Sequence, residues 1–223
     1  GIMAIASKHK LTVIEDAAQS FGATYNSKRS CSASHIGCTS FFPAKPLGAA
    51  GDGGAIFTSD PELAKKIECM RVHGQSRRYY HDYIGMNGRL DPIQCVVIAE
   101  KLKYYDEDIA GRQKVAHKYT EAFAGHAKIT VPSIKSDRDS VYAQYTLRVQ
   151  GRDELVKKLQ EKGIPSAVHY PMGIHQQPAY SHTNFSLPVT EAAGKEVMSL
   201  PLYPNMPEDH VNLVISSIQE ILG

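Results

Sequence analysis

Long apolar runs are missing from this sequence. No stretch approaches the ~18 residues that a membrane helix needs, and the first residues show no basic region, apolar core or cleavage site of a signal peptide. The expectation is a cytoplasmic protein with no membrane partner. An excess of either charge is missing too: 25 basic and 23 acidic side chains are spread along 223 residues and form no basic stripe, so nucleic acid is not expected as a partner. Cysteine is sparse. Cys31, Cys38, Cys69 and Cys95 form no CxxC pair, which argues against a zinc knuckle and a disulfide framework and for reduced thiols. No His/Glu or His/Cys spacing makes a metal site, and no repeat or low-complexity segment occurs. What remains is ordinary globular composition, 42% hydrophobic and 22% charged, enough for one large or two small cores.

The opening GIMAIASKHK has helical apolar spacing and runs straight into LTVIED, so the chain is expected to open inside a domain. Leu11 to Ile14 reads as a buried parallel strand ending in Glu15 and Asp16, and Cys38 to Phe42 as a second one. The glycine-rich GAAGDGGAIFTSD feeds a third strand at Ala55 to Thr58, and PELAKKIECMRVHG is a helix with Asp60 as cap and Gly74 past its end. Asp91 and Pro92 start a long helix whose apolar residues recur through Phe123, with a bend at Gly111. Beyond Gly125 the strands YAQYTLRV and SAVHY flank the helix RDELVKKLQEKG, and a last helix begins near Pro207. The fold class is α/β. Residues 1–110 are expected to be part of a large α/β domain, and 111–223 a smaller α+β domain.

Asp16 stands at the carboxyl end of a strand, where open α/β sheets place their ligand sites. A carboxylate there can cap a helix, bind a metal or hold a protonated heterocycle nitrogen. Lys45, in SFFPAKPLG, lies between two prolines that stiffen its loop and beside glycines that let other groups come close. A lone lysine is usually a solvated charge. Together the two match what pyridoxal phosphate requires, an amine that condenses with the cofactor aldehyde and a carboxylate that keeps the ring nitrogen protonated.

Four segments carry a wider resemblance: VIEDAAQS, TSFFPAKPLGAAGDGGA, GMNGRLDPIQ and SAVHYPMGIHQQPAY. In content, order and spacing they resemble the nucleotide-sugar aminotransferases of the DegT family, pyridoxal-phosphate-dependent transferases of fold type I. The resemblance covers essentially the whole chain and makes it the C-terminal part of such a fold. It implies Lys45 as the cofactor-bearing lysine, Asp16 as the partner of the pyridinium nitrogen, Gln19 beside the ring and Ser40 on the phosphate. It also sends Asn87 to the phosphate in a neighbouring subunit's site, which implies a homodimer. Gly88 departs from the family pattern, which has serine there. The family's N-terminal segment, with its phosphate-binding amides and a ring-stacking aromatic residue, is expected to be absent, so weak cofactor binding is expected of this chain alone.

His169 and Tyr170 resemble the substrate-facing pair of members that aminate 3-keto uronic-acid nucleotide sugars, and Arg89 is a candidate grip for an anionic group. The implied reaction is transamination of a keto-sugar nucleotide with glutamate as donor, serving polysaccharide or lipopolysaccharide sugars. Two other readings stay open: a cofactor-free fragment or regulatory subunit, and sugar dehydration on the same fold. Dehydration replaces the cofactor lysine by histidine, and Lys45 disfavours it.

Overall fold

The computed structural model describes residues 1–223 and divides into two compact units, Gly1–Glu107 with Lys135–Ala143, and Asp108–Ile134 with Gln144–Gly223. The expected division after residue 110 differs in two ways. The first unit ends inside a helix, and a short later segment returns to it. Asn26 N and Thr24 N reach that segment, donating to Asp137 O at 2.7 Å and to Asp139 Oδ1 at 2.6 Å.

In the first unit, α1 (Ile2–His9) leads to β1 (Ile14–Asp16), the hairpin of β2 (Thr24–Tyr25) and β3 (Lys28–Arg29), then β4 (Ile36–Ser40) and β5 (Gly54–Phe57). The sheet order is β1-β4-β5, with β1 parallel and β5 antiparallel to β4. The expected strands exist, but β1 and β4 each sit about two residues from their forecast positions. β1 is not the buried strand its apolar run suggested: Leu11 and Ile14 are 59% and 65% exposed. One face of this small sheet is open, and local apolar runs do not report which face finds a cover.

The helix α2 (Pro61–Arg71) starts as its sequence demands, with Pro61 in the first turn and the Asp60 carboxylate accepting from the amides of Glu62 and Leu63. The pair β6 (Gln75–Arg77) and β7 (Tyr80–His81) follows, and then α3 (Pro92–Leu102). The expected single long helix is in fact two. It breaks after Leu102, where Lys103 N and Tyr104 N tighten to bonds three residues back, and α4 (Tyr105–Phe123) runs unbroken through Gly111. The Tyr105 hydroxyl donates to Phe21 O at 2.6 Å and its ring lies against Phe21, which also meets Phe41 and Phe57. That aromatic cluster fixes where the new helix must begin.

The second unit holds the rest of α4, then β8 (Ile129–Thr130), β9 (Tyr145–Val149), α5 (Arg152–Glu161), α6 (Pro188–Glu196), β10 (Val197–Leu200) and α7 (Glu208–Leu222). Its sheet is antiparallel, in the order β10-β9-β8. The segment SAVHY is no strand of its own and contributes one bridge, Ala167 to Ser199, while α6 and β10 escaped the sequence reading. Tyr145, Leu147 and Val149 alternate inward from β9 and meet Met198 and Leu200 of β10, all within 4% of full burial. No helix of the chain is long and apolar enough to cross a membrane.

Candidate active site

Asp16 and Ser40 are brought together by strand register. Asp16 pairs with Cys38 in parallel, and because side chains alternate along a strand, Asp16, Cys38 and Ser40 share one face while Glu15 and Thr39 take the other. The Asp16 carboxylate accepts from Ala18 N at 2.9 Å through Oδ1, and no other group of the chain donates to it. Ser40 Oγ accepts from Phe42 N at 3.2 Å, which leaves its proton available. Glu15, on the far face, is used structurally, accepting from Cys31 N at 2.9 Å and from Ser34 Oγ at 3.3 Å. Burial first, then the carboxylates of Asp16 and Glu15, raises the Cys38 thiol, and burial with the same neighbours pushes Cys31 up to about 11. Both therefore stay protonated, poor nucleophiles beside a carboxylate-rich strand end. Gln19 sits exposed on the turn that follows Asp16.

Lys45 lies on the loop leaving β4. Its amide donates to Phe42 O at 2.8 Å, and the side chain is half-buried without an ion pair or hydrogen bond. The loop folds back so closely that a Cβ at Gly48 would meet Pro43 O at 2.5 Å and Phe42 O at 2.9 Å, which only glycine avoids. Two residues of α3 brace it: Gln94 Oε1 accepts from Ala50 N at 2.8 Å, and Lys101 Nζ donates to Gly48 O at 2.5 Å. Sequence reasoning missed both. Their seven-residue separation, two helical turns, puts them on one face and was the available signal.

Asn87 and Arg89 meet each other rather than Lys45. Arg89 Nε donates to Asn87 Oδ1 at 3.1 Å, and both side chains are exposed. Their segment is pinned to the end of α2 by a bridge between Asn87 and Val72 and by Gly88 N donating to Arg71 O at 2.8 Å. A Cβ at Gly88 would find its nearest atoms at 3.5 Å, ordinary van der Waals contact, so serine and glycine are both accommodated there.

In the second unit, His169 and Tyr170 border a cavity of about 440 Å³ that Met172, His175, Leu187 and Thr190 also line. Tyr170 is 67% exposed. Glu191, on α6, closes the loop between Met172 and Leu187: its Oε1 accepts from Leu187 N at 2.9 Å and lies 3.2 Å from Nε2 of His175, whose side chain is 7% exposed. The Leu187 amide, then His175, hold the Glu191 carboxyl below the usual carboxylate range.

A family model describes residues 1–219 as a DegT/DnrJ/EryC1/StrS aminotransferase. The chain belongs to that family. It is 48% identical over 217 residues to a UDP-2-acetamido-2-deoxy-3-oxo-D-glucuronate aminotransferase of Pseudomonas aeruginosa, covering 97% of this chain and 60% of that protein. Among solved structures it is similar to a DegT DnrJ EryC1 StrS aminotransferase from Brucella abortus, at TM-score 0.94 and 39% identity, over 100% of this chain and 60% of that one. It is also similar to ntda from Bacillus subtilis, solved with bound cofactor PMP, at TM-score 0.88 and 29% identity over 99% of this chain and 52% of that one. The chain thus spans about 60% of the length of the relative from P. aeruginosa. The fold is that of the family's sugar aminotransferases.

Proposed function

We propose that the protein is a cytoplasmic pyridoxal-phosphate-dependent aminotransferase that transfers nitrogen from glutamate to a keto-sugar nucleotide for polysaccharide or lipopolysaccharide sugars. The observation that carries this reading is the strand-end pair Asp16 and Ser40 on one face, followed by the unpaired Lys45 on a braced loop. The donor set fits the cofactor. Asp16 has Oδ2 free to accept a ring N–H, Ser40 has a hydroxyl proton for a phosphate oxygen, and Lys45 has an uncompensated amine. Pyridoxal phosphate, when bound, supplies the electron sink for a developing carbanion.

The chain's own residues do the rest. Lys45 Nζ would hold the cofactor at rest and, when free as an amine, would take up the proton from the substrate carbon as a general base. The Asp16 carboxylate holds the ring nitrogen in its charged form, because a negative charge at hydrogen-bond distance favours protonation. Ser40 would orient the phosphate, and the exposed Gln19 would stand beside the ring. Asn87 completes the phosphate site of a partner subunit in a homodimer, in keeping with its exposure and its lack of contact with Lys45. Arg89, His169 and Tyr170 bind the sugar. The identity to the P. aeruginosa relative favours a UDP-linked 3-keto uronic acid as that sugar.

Borohydride reduction in the presence of pyridoxal phosphate, followed by peptide mapping, tests the assignment. The expected adduct lies on Lys45 and is lost in Lys45→Ala. An equal yield of adduct in that variant would overturn the role given to Lys45.

A further inference from the structure

His169 is the end of a hydrogen-bond chain that starts inside the second unit's sheet. Thr146 and Ser199 are cross-strand partners in β9 and β10, and their hydroxyl oxygens lie 2.9 Å apart. Ser199 is buried, and its backbone exchanges hydrogen bonds with Ala167 at 2.7 and 3.2 Å, which fixes the segment leading to His169 against β10. Its hydroxyl oxygen then lies 3.0 Å from His169 Nδ1. The other ring nitrogen, Nε2, has no partner in the chain, while the residue borders the cavity.

Proton bookkeeping gives the chain a direction. Each hydroxyl has one proton to donate. If Thr146 donates to Ser199 and Ser199 to His169 Nδ1, both protons are used. In the reverse order the half-buried Thr146 turns its proton to solvent, because Ser199 is its only hydrogen-bond partner in the chain. The first order keeps both hydroxyl protons in bonds within the chain and leaves His169 Nε2 to carry its hydrogen at the cavity.

We infer that Ser199, held by Thr146, is a positioning residue that fixes His169 as the Nε2–H tautomer. His169 is then a hydrogen-bond donor into the cavity, suited to an oxygen acceptor of the ligand, a carboxylate or a carbonyl, and unsuited to an N–H. That this ligand is the sugar rests on the function proposed above. The tautomer does not.

The test is ¹⁵N–¹H NMR of the histidine ring in the full chain without ligand, at about pH 8, where an ordinary imidazole is neutral. His169 is expected to show an unprotonated Nδ1 and a protonated Nε2. Ser199→Ala and the isosteric Thr146→Val are each expected to lose that single-tautomer signal while the other histidines keep theirs. A wild-type ring protonated on Nδ1, or averaging both forms, overturns the inference without touching the aminotransferase reading. So does an unchanged His169 signal in Ser199→Ala. Should Ser199→Ala fail to fold, the wild-type spectrum and Thr146→Val decide the question.

Discussion

The two units bury their apolar residues very differently. Of the largest side chains that are almost fully covered, all but Val141 belong to the second unit, among them Tyr119, Phe123, Tyr145, Leu159 and Ile218. The first unit leaves Ile14, Ile56, Ile93 and Val96 more than half exposed on its sheet and on α3. The difference teaches where each unit's order comes from. In the second, apolar residues of α4, α5 and α7 are buried together with those of its sheet, whereas the first depends on the Phe21 aromatic cluster and on polar braces such as Gln94 and Lys101. The candidate cofactor residues Asp16, Ser40 and Lys45 sit on the more open unit. Of the candidate sugar residues, His169 and Tyr170 sit on the closed one and Arg89 on the open one.

The sharpest challenge to this comparison is a matched pair of truncations. Leu147→Ala, at a fully buried position of β9, should cost about 2–5 kcal/mol, whereas Ile56→Ala, at a side chain 55% exposed, should cost about 1 kcal/mol or less. Urea unfolding of both variants measures the contrast, and equal losses would erase the distinction between the units. A smaller effect separates their polar anchors. Arg152 is buried and donates to Val197 O at 2.6 Å and Gly194 O at 3.1 Å, capping the carboxyl end of α6. Arg152→Ala strands those carbonyls and should cost about 1–3 kcal/mol in the same assay. Gln94→Ala removes a surface bond and should cost less globally, while the Ala50 amide exchanges with deuterium about tenfold faster if the bond contributes about 1.4 kcal/mol locally.

The smallest effect is one of pH. The folded Glu191 carboxyl is held below its ordinary range, so its clamp on Leu187 and His175 is fully present above the unfolded value of about 4.3. It is lost as pH falls through the lowered folded value. Acid-stable proteolysis across that window should begin to cut the loop between Met172 and Leu187 in the wild type, and Glu191→Gln should bring such cutting to neutral pH. A loop equally resistant in both would show that Glu191 does not hold it.

Much of the chain was legible in the sequence. Asp60 and Pro61 announce α2, and Gly74 and Gly163 stand past α2 and α5 with φ of 76° and 73°, because capping and left-handed backbone are properties of a few neighbouring residues. The same local logic put Asp16 at a strand end and Lys45 in a stiffened loop. Partnership across the chain was not legible. Nothing near Leu102 predicts that Tyr105 must start a new helix by reaching Phe21, and nothing near residue 135 predicts that Lys135–Ala143 returns to the first unit.

What the sequence by itself determined is the family and most of the kinds of element, and it singled out Asp16, Ser40 and Lys45 as candidates. Only the tertiary structure decided that Gln94 braces the Lys45 loop, that Asn87 pairs with Arg89, and that Thr146, Ser199 and His169 form one chain of hydrogen bonds. Backbone conformation is written in short-range sterics and caps. The choice of a side-chain partner depends on register and packing between segments far apart in the chain, and Thr146 and Ser199 meet only because β10 lies antiparallel to β9 in that one register.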